Sequence, residues 1–207
     1  MDNVEMLIGQ LKDPDPSRRS AAIRGLAGTG DLRAADALTE ALGDENYIIC
    51  REAVYPLADM GNAVQPKMIE ALGHENPDVR EGAAKVLIRV GDVRAVPALV
   101  ETLDGSAKYE AIEALQCILY RCDSIQKVEE FKLRVEEGIE RLGEKAKAGT
   151  IARWQKKDAI TQLKNGIATK REEVGAEMGG VQSKGTVPKP HGDPKGKMPA
   201  GKQPLKR

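Results

Sequence analysis

The stretch GDLRAADAL at residues 30–38 returns as GDVRAVPAL at residues 91–99. Both copies begin with glycine and aspartate and end on leucine, and a looser copy, GNAVQPKM, lies between them at residues 61–68. Successive copies are therefore about thirty residues apart. A fixed period of this length is the signature of a repeat protein in which each unit is one small supersecondary element.

Working outward from these stretches, four positions of the unit agree in each of four copies within residues 1–123. The aligned columns are Leu7, Leu38, Met68 and Leu99; Leu11, Leu42, Leu72 and Leu103; Ala22, Ala53, Ala83 and Ala114; and Leu26, Leu57, Leu87 and Ile118. Apolar residues four apart lie on one face of an α-helix, so the pattern predicts two helices per unit. A unit this small cannot bury its own apolar face, and we expect four stacked units to share one continuous core.

Composition indicates the same fold class and a division into three parts. Hydrophobic residues make up 41% of the chain but aromatic residues only 3%, so the core must be built from Ala, Leu, Val and Ile. Residues 124–178 predict a helical hairpin, and both capping of the stack and protrusion as an arm stay open. Residues 179–207, rich in Pro, Gly and Lys, predict a disordered basic tail. The expected fold is all-α: an α-solenoid at residues 1–123, the hairpin and the tail.

The charge distribution and the targeting signals of the sequence indicate the compartment in which the protein is expected. Acidic and basic residues number 32 each, but residues 1–123 carry a net charge of −8 and residues 179–207 a net charge of +6. No apolar run of about 18 residues is present, so no membrane span is expected. The N-terminus lacks a secretory signal, and the three cysteines form no CxxC motif, which together predict a cytoplasmic protein.

The columns resemble the short HEAT-like repeats of the phycobilin-lyase type. The likeness is carried by the stretches at residues 30–38 and 91–99, and by CREAV at residues 50–54 and DVREGAA at residues 78–84. It covers residues 1–123. The resemblance implies an armadillo-like helical solenoid with right-handed stacking, in which the second helix of each unit lines the concave face.

Two enzyme classes share related repeats, and the first is the di-iron deoxyhypusine hydroxylases. The resemblance implies a His-Glu pair at the start of the second helices for such an enzyme. The aligned pairs here are Ser20-Ala21, Arg51-Glu52, Glu81-Gly82 and Ile112-Glu113, which contain no histidine. The His74-Glu75 pair lies between two helices. We therefore expect neither a metal nor a cofactor.

The second enzyme class is the bilin lyases and isomerases. For such an enzyme the resemblance implies that a tetrapyrrole binds on the concave face. The tyrosines that could line such a cradle, Tyr47, Tyr55, Tyr109 and Tyr120, are scattered among the repeats. Nucleophilic catalysis has no clear candidate, because Cys50 has no histidine predicted nearby to act as a base.

The sequence thus favours a non-enzymatic scaffold or regulatory protein that binds another protein of basic or mixed charge. The candidate binding residues on the second helices are Arg19, Arg51, Glu52, Arg80, Glu81, Glu110 and Glu113. The alternatives are an enzyme related to the bilin lyases or to the hydroxylases, and a protein that binds nucleic acid through its basic tail.

Overall fold

A computed structural model describes residues 2–148 and 153–178, and within these ranges the chain is helical and contains no β-strand. The α-helices are α1 (Asn3–Gln10), α2 (Pro16–Leu26), α3 (Ala35–Ala41), α4 (Tyr47–Asp59), α5 (Gln65–Ala71), α6 (Pro77–Val90), α7 (Val96–Glu101), α8 (Lys108–Tyr120), α9 (Ile125–Ala148) and α10 (Arg153–Met178). In these ranges no helix combines the length and the apolar character that crossing a membrane requires.

The helices are arranged as stacked pairs, numbered here from the first (α1 and α2) to the fifth (α9 and α10). Within each pair the two helices touch each other, and α2, α4, α6, α8 and α10 touch one another in that order. Each pair therefore packs mainly on its immediate neighbours, which is the organisation of a solenoid. The predicted all-α solenoid of short helix pairs is confirmed.

The repeated leucine and alanine columns form the core of the stack. All sixteen column residues are buried, and Leu38, Leu57, Leu87 and Leu99 are completely inaccessible to solvent. The alanine column lies on the second helices, where a methyl side chain allows the next second helix to approach closely. Removal of this apolar surface from water is the main term that holds the pairs together.

Local hydrogen bonds begin the second helix of the first three pairs in the same way. The side chains of Asp15, Asn46 and Asn76 each accept a hydrogen bond from the main-chain N–H two residues later, at 2.8 to 3.0 Å. Such N-caps satisfy an N–H group that has no partner inside the helix. The fourth pair has Ala107 at this position and lacks the side-chain cap.

The two long helices continue the stack as its fifth pair. Helix α9 lies along α7, and α10 contacts both α8 and α9. Gly138 makes this approach possible, because a Cβ atom there would lie 2.6 Å from Val100 Cβ and 2.9 Å from the Pro97 carbonyl oxygen. Val128, Phe131 and Val135, which belong to α9, are buried. The hairpin thus covers the end of the fourth pair instead of protruding as an arm.

The proposed tail at residues 179–207 lies outside the described residues. Its predicted disorder and its predicted affinity for nucleic acid therefore stay predictions.

Candidate functional site

The exposed side of α2, α4, α6 and α8, called here the second-helix face, carries the tyrosines of the chain. Tyr47, Tyr55, Tyr109 and Tyr120 have exposed fractions between 53% and 76%. The sequence placed them only as scattered residues, whereas the fold brings all of them to the second helices. An exposed tyrosine offers a rigid apolar ring with a polar tip, which is typical of residues that contact a ligand or a partner.

Three of these rings have a cation beside them. The Arg89 guanidinium lies 5.9 Å from the centroid of the Tyr55 ring, and Lys170 Nζ lies 5.2 Å from that of Tyr120. Lys108 Nζ lies 5.9 Å from the ring of Tyr109 on the same helix. Contacts of this kind hold a positive charge next to an aromatic surface. The face therefore presents aromatic rings and cations together.

Two acidic residues of the second-helix face, Glu52 and Glu81, already interact with cationic side chains of this chain. Arg24 Nη1 donates to Glu52 Oε1 at 3.1 Å, and the Ser20 hydroxyl donates to the other oxygen of Glu52. Lys85 pairs with Glu81 one turn earlier on α6. Glu52 and Glu81, two of the predicted binding residues, are thus already neutralised by neighbouring cations.

Arg19, one of the predicted binding residues, is not available on the surface to contact a partner. This side chain is buried, with 8% of its surface exposed. Its Nε and Nη2 donate to the Asp44 carboxylate at 2.8 and 2.9 Å, and its Nη1 donates to the Asp13 carbonyl oxygen at 2.9 Å. Arg19 therefore joins the first helix pair to the turn of the second pair, and its interactions are with this chain.

Arg80 has the same structural role between the third and fourth pairs. Its Nη1 donates to the carbonyl oxygens of His74 and Glu75 at 2.7 and 2.8 Å, and its Nη2 donates to Ser106 Oγ at 2.9 Å. The remaining predicted residues, Arg51, Glu52, Glu81, Glu110 and Glu113, lie on the second helices and are exposed or half-buried. Their role in binding a partner stays a prediction.

Cys50 occupies the equivalent position in the second pair, where it replaces the arginine. Its Sγ donates to the Asp44 carbonyl oxygen at 2.9 Å, which belongs to the turn of its own pair. A cysteine is too short to continue into the next turn. The interface between the second and third pairs therefore lacks the guanidinium that joins the pairs on either side of it.

The surroundings of all three thiols raise their pKa. Burial raises the pKa of Cys50, and the nearby carboxylates of Asp78 and Asp44 raise it further. Burial also raises the pKa of Cys117 and of Cys122. The thiolate is the reactive form of cysteine, so these environments favour the unreactive thiol.

His74 lies in the turn between α5 and α6, as the sequence predicts for it. Its Nδ1 accepts a hydrogen bond from the Asn76 main-chain N–H at 3.0 Å. Over residues 2–148 and 153–178, no three His, Cys, Asp or Glu side chains converge in a way that would hold a metal ion. What the described surface offers chemically is a set of rings and cations for binding.

Comparisons with known proteins identify the repeats. A family model of HEAT repeats matches residues 1–58 and 51–117. The phycocyanobilin lyase subunit alpha of Picosynechococcus is 45% identical over 86 residues, a match that covers 36% of this chain and 31% of that protein. The uncharacterised phycocyanin operon protein Z of Pseudanabaena tenuis is 34% identical over 89 residues, covering 42% of this chain and 44% of that protein. The chain spans less than half the length of these two relatives.

Solved structures with a similar arrangement of helices include the complex of CpcE and CpcF of phycocyanin lyase from Nostoc. That match has 25% sequence identity and a TM-score of 0.48, and it covers 86% of this chain and 69% of the other. A designed armadillo repeat protein in complex with the peptide (KR)4 matches with 16% identity and a TM-score of 0.43 over 86% of this chain and 90% of the other.

The expectation of a non-enzymatic scaffold is wrong by this comparison. The relative that is 45% identical over 86 residues is a subunit of a lyase. The sequence contained no catalytic constellation to indicate an enzyme. The bilin-lyase alternative is the one that the comparison supports.

Proposed function

Because the chain belongs to the HEAT-repeat family, with short repeats of the phycobilin-lyase type, we propose that it is a subunit of a lyase acting on a linear tetrapyrrole. In this proposal the second-helix face holds the chromophore. The observation that carries it is that all four tyrosines are exposed on second helices, α4 and α8, and that three of them lie beside a cation.

The chemistry of a linear tetrapyrrole matches such a face. The molecule is a long conjugated system that carries carboxylate side chains. Tyrosine rings contact an extended conjugated surface with little loss of conformational entropy, and arginine forms paired hydrogen bonds with carboxylates. The second-helix face supplies both groups within one stretch of the stack, since Arg89 on α6 lies beside Tyr55 on α4.

The environment of the thiols supports a binding role for this chain within the proposal. With the pKa of each cysteine raised, the chain supplies no activated sulfur, and we expect it to bind and orient the chromophore. The lyase relative is named a subunit, so a second protein is expected to complete the active assembly. The partner that the sequence predicts is therefore proposed to be another lyase subunit.

Titration of the purified protein with phycocyanobilin tests the proposal. We expect a saturable change in visible absorption and an induced circular dichroism signal, because an ordered protein surface makes a flexible chromophore asymmetric. Tyr55→Ala should weaken binding roughly two- to tenfold, since an aromatic contact contributes about 0.5–1.5 kcal/mol. Met6→Ala, which changes an exposed apolar residue on α1, is the matched control and should have no effect.

Two results would contradict the proposal. One is the absence of any saturable spectral change. The other is an equal loss of affinity in Tyr55→Ala and Met6→Ala, which would show that the chromophore adheres to apolar surface in general.

A further inference from the structure

A groove of about 480 Å³ opens where α6 and α8 end and α9 begins. Four cationic side chains line it: Arg89, Arg94, Arg121 and Lys127. Only two carboxylates are among its lining residues, those of Asp92 and Glu130. The groove therefore has more positive than negative charge.

Two of these cations are occupied by carboxylates of the chain. Arg94 binds the Asp92 carboxylate with both Nε and Nη2, at 3.0 and 2.7 Å. Lys127 Nζ lies 2.8 Å from Asp123 Oδ1. The charge of these two side chains is thus largely compensated within the protein.

The charges of Arg121 and Arg89, unlike those of Arg94 and Lys127, are not compensated by a carboxylate in the described residues. Arg121 donates from Nη1 to the Ile88 carbonyl oxygen at 3.0 Å and from Nη2 to the Gly91 carbonyl oxygen at 2.7 Å, and both acceptors are neutral. Arg89 lies beside the Tyr55 ring. In the described ranges neither arginine takes part in an ion pair. Both guanidinium groups keep a full positive charge at the groove.

The two carbonyl contacts also fix the Arg121 side chain in place. A guanidinium has five N–H donors, so donors remain after these two bonds are made. Holding the group in position before a ligand arrives reduces the entropy lost on binding. Apolar side chains, Val90, Val93 and Ile118, line the same groove and could contact the apolar part of a ligand.

We propose that this groove binds the carboxylate of an amphipathic organic acid, with Arg121 and Arg89 as the recognising cations. The inference rests on the proposed function, in which that acid is a carboxylate side chain of the tetrapyrrole. Arg89 connects the two sites, because it lines the groove and lies 5.9 Å from the Tyr55 ring on the second-helix face. A chromophore over Tyr55 has its acidic group directed by the same arginine.

The test compares phycocyanobilin with its dimethyl ester, which keeps the conjugated system and removes the negative charge. We expect the full-length protein to bind the free acid about tenfold more tightly than the ester, the effect of one charge-assisted contact. Arg121→Gln and Arg89→Gln should each reduce this preference. Arg33→Gln, at an exposed arginine near the other end of the stack, is the control and should leave the preference unchanged.

A second probe separates this proposal from the proposed function. Pyrenebutyrate and its methyl ester carry the same contrast of acid and ester on an unrelated aromatic body, and their fluorescence reports binding. Arg89→Gln keeps the test valid if Arg121→Gln does not fold. In the described residues the Arg121 side chain, and not that of Arg89, donates hydrogen bonds to main-chain carbonyl oxygens.

The four compounds together distinguish failure of the groove from failure of the proposed function. Equal affinity of acid and ester for the unaltered protein, or an unchanged preference in both variants, overturns the groove while the proposed function stands. Binding of pyrenebutyrate that depends on Arg121 or Arg89, without binding of either tetrapyrrole form, supports the groove and overturns the proposed function. Failure of all four compounds to bind overturns both.

Discussion

At the scale of single residues, the position held by Arg19, Cys50 and Arg80 decides how adjacent helix pairs are joined. Each of these side chains donates to a carbonyl oxygen in the turn of its own pair. Only the arginines also reach the turn of the following pair, through Asp44 and Ser106 respectively. The length of this one side chain therefore determines whether it joins the turns of two adjacent pairs.

Replacing Arg19 by methionine tests the importance of this contact. The substitution removes a two-point hydrogen bond and leaves the Asp44 carboxylate, whose side chain is only 10% exposed, without its guanidinium. We expect the thermal unfolding midpoint to fall by several degrees. The matched control is Arg33→Met, because the Arg33 side chain is 52% exposed and its ion pairs are screened by water. Equal shifts in the two variants would contradict a special role for Arg19.

A second prediction at this scale concerns Asp92, which is bonded to the buried amide of Gln65. Gln65 Nε2 donates to Asp92 Oδ1 at 2.6 Å, and the Asp92 main-chain N–H donates to Gln65 Oε1 at 3.2 Å. Burial acts to raise the pKa of Asp92, but hydrogen bonds from Arg94 and Gln65 outweigh it and lower the pKa from 3.8 to about 2. The ionised carboxylate is therefore favoured by the folded state.

Because this pKa is lowered on folding, the carboxylate stabilises the protein above its ordinary pKa of 3.8 and loses that effect as pH falls toward about 2. We expect Asp92→Asn to lower the urea midpoint at neutral pH. The gap between the variant and the unaltered protein should narrow through the acid range. A gap of constant size from neutral pH down to about pH 2 would show that the ionised form is not what matters.

At the scale of helices, the docking of α9 on α7 depends on the missing side chain of Gly138. Alanine there would place its Cβ 2.6 Å from Val100 Cβ. We expect Gly138→Ala to lower the free energy of unfolding by roughly 1–3 kcal/mol through overpacking, measured by urea denaturation.

Gly143 on the same helix provides the control. A Cβ atom there would meet nothing within 4 Å. Gly143→Ala should raise the free energy of unfolding by up to about 1 kcal/mol, because alanine loses less conformational entropy in a helix. A loss of stability in both variants would mean that α9 is disturbed by any change of glycine, and would contradict the close approach to α7.

Helices and their buried faces were within reach of the sequence, whereas the contacts between pairs were not. The leucine columns recur four times, so each position was supported by several copies. The buried state of Arg19 escaped prediction because its partner, Asp44, lies in the next repeat and twenty-five residues away. The caps Asp15, Asn46 and Asn76 share the repeat period and could have been found by extending the alignment into the turns.

At the scale of the whole molecule, a single helix pair is not stable alone, because each pair buries its apolar face on its neighbours. Leu57→Ala and Leu87→Ala, at fully buried positions in central pairs, should each lower the free energy of unfolding by roughly 2–5 kcal/mol. Leu32→Ala, where the side chain is 51% exposed, should cost about 0.5 kcal/mol or less. Chemical denaturation of the three variants is the measurement, and equal effects would contradict the assignment of the columns to the core.

The proposed binding face was harder to predict from the sequence than the architecture, because it forms only in the folded molecule. The tyrosines belong to two helices that are far apart in the sequence, α4 and α8, and lie on the same layer of the molecule only when the second helices stack. The tyrosines form no motif of a nucleophile and its base, so the sequence patterns that indicate covalent catalysis do not include them. Surface composition after folding, and not any local motif, is what indicates a binding face.

The cysteine at position 50 has a mechanical consequence. Between the second and third pairs the turn edge is held by apolar packing and by a weak amide contact from Asn76 Nδ2 to the Gly43 carbonyl oxygen at 3.4 Å. A guanidinium spans the corresponding edge on either side of it. Under tension along the long axis of the stack, the turn edge at this joint would open before the two edges that a guanidinium spans.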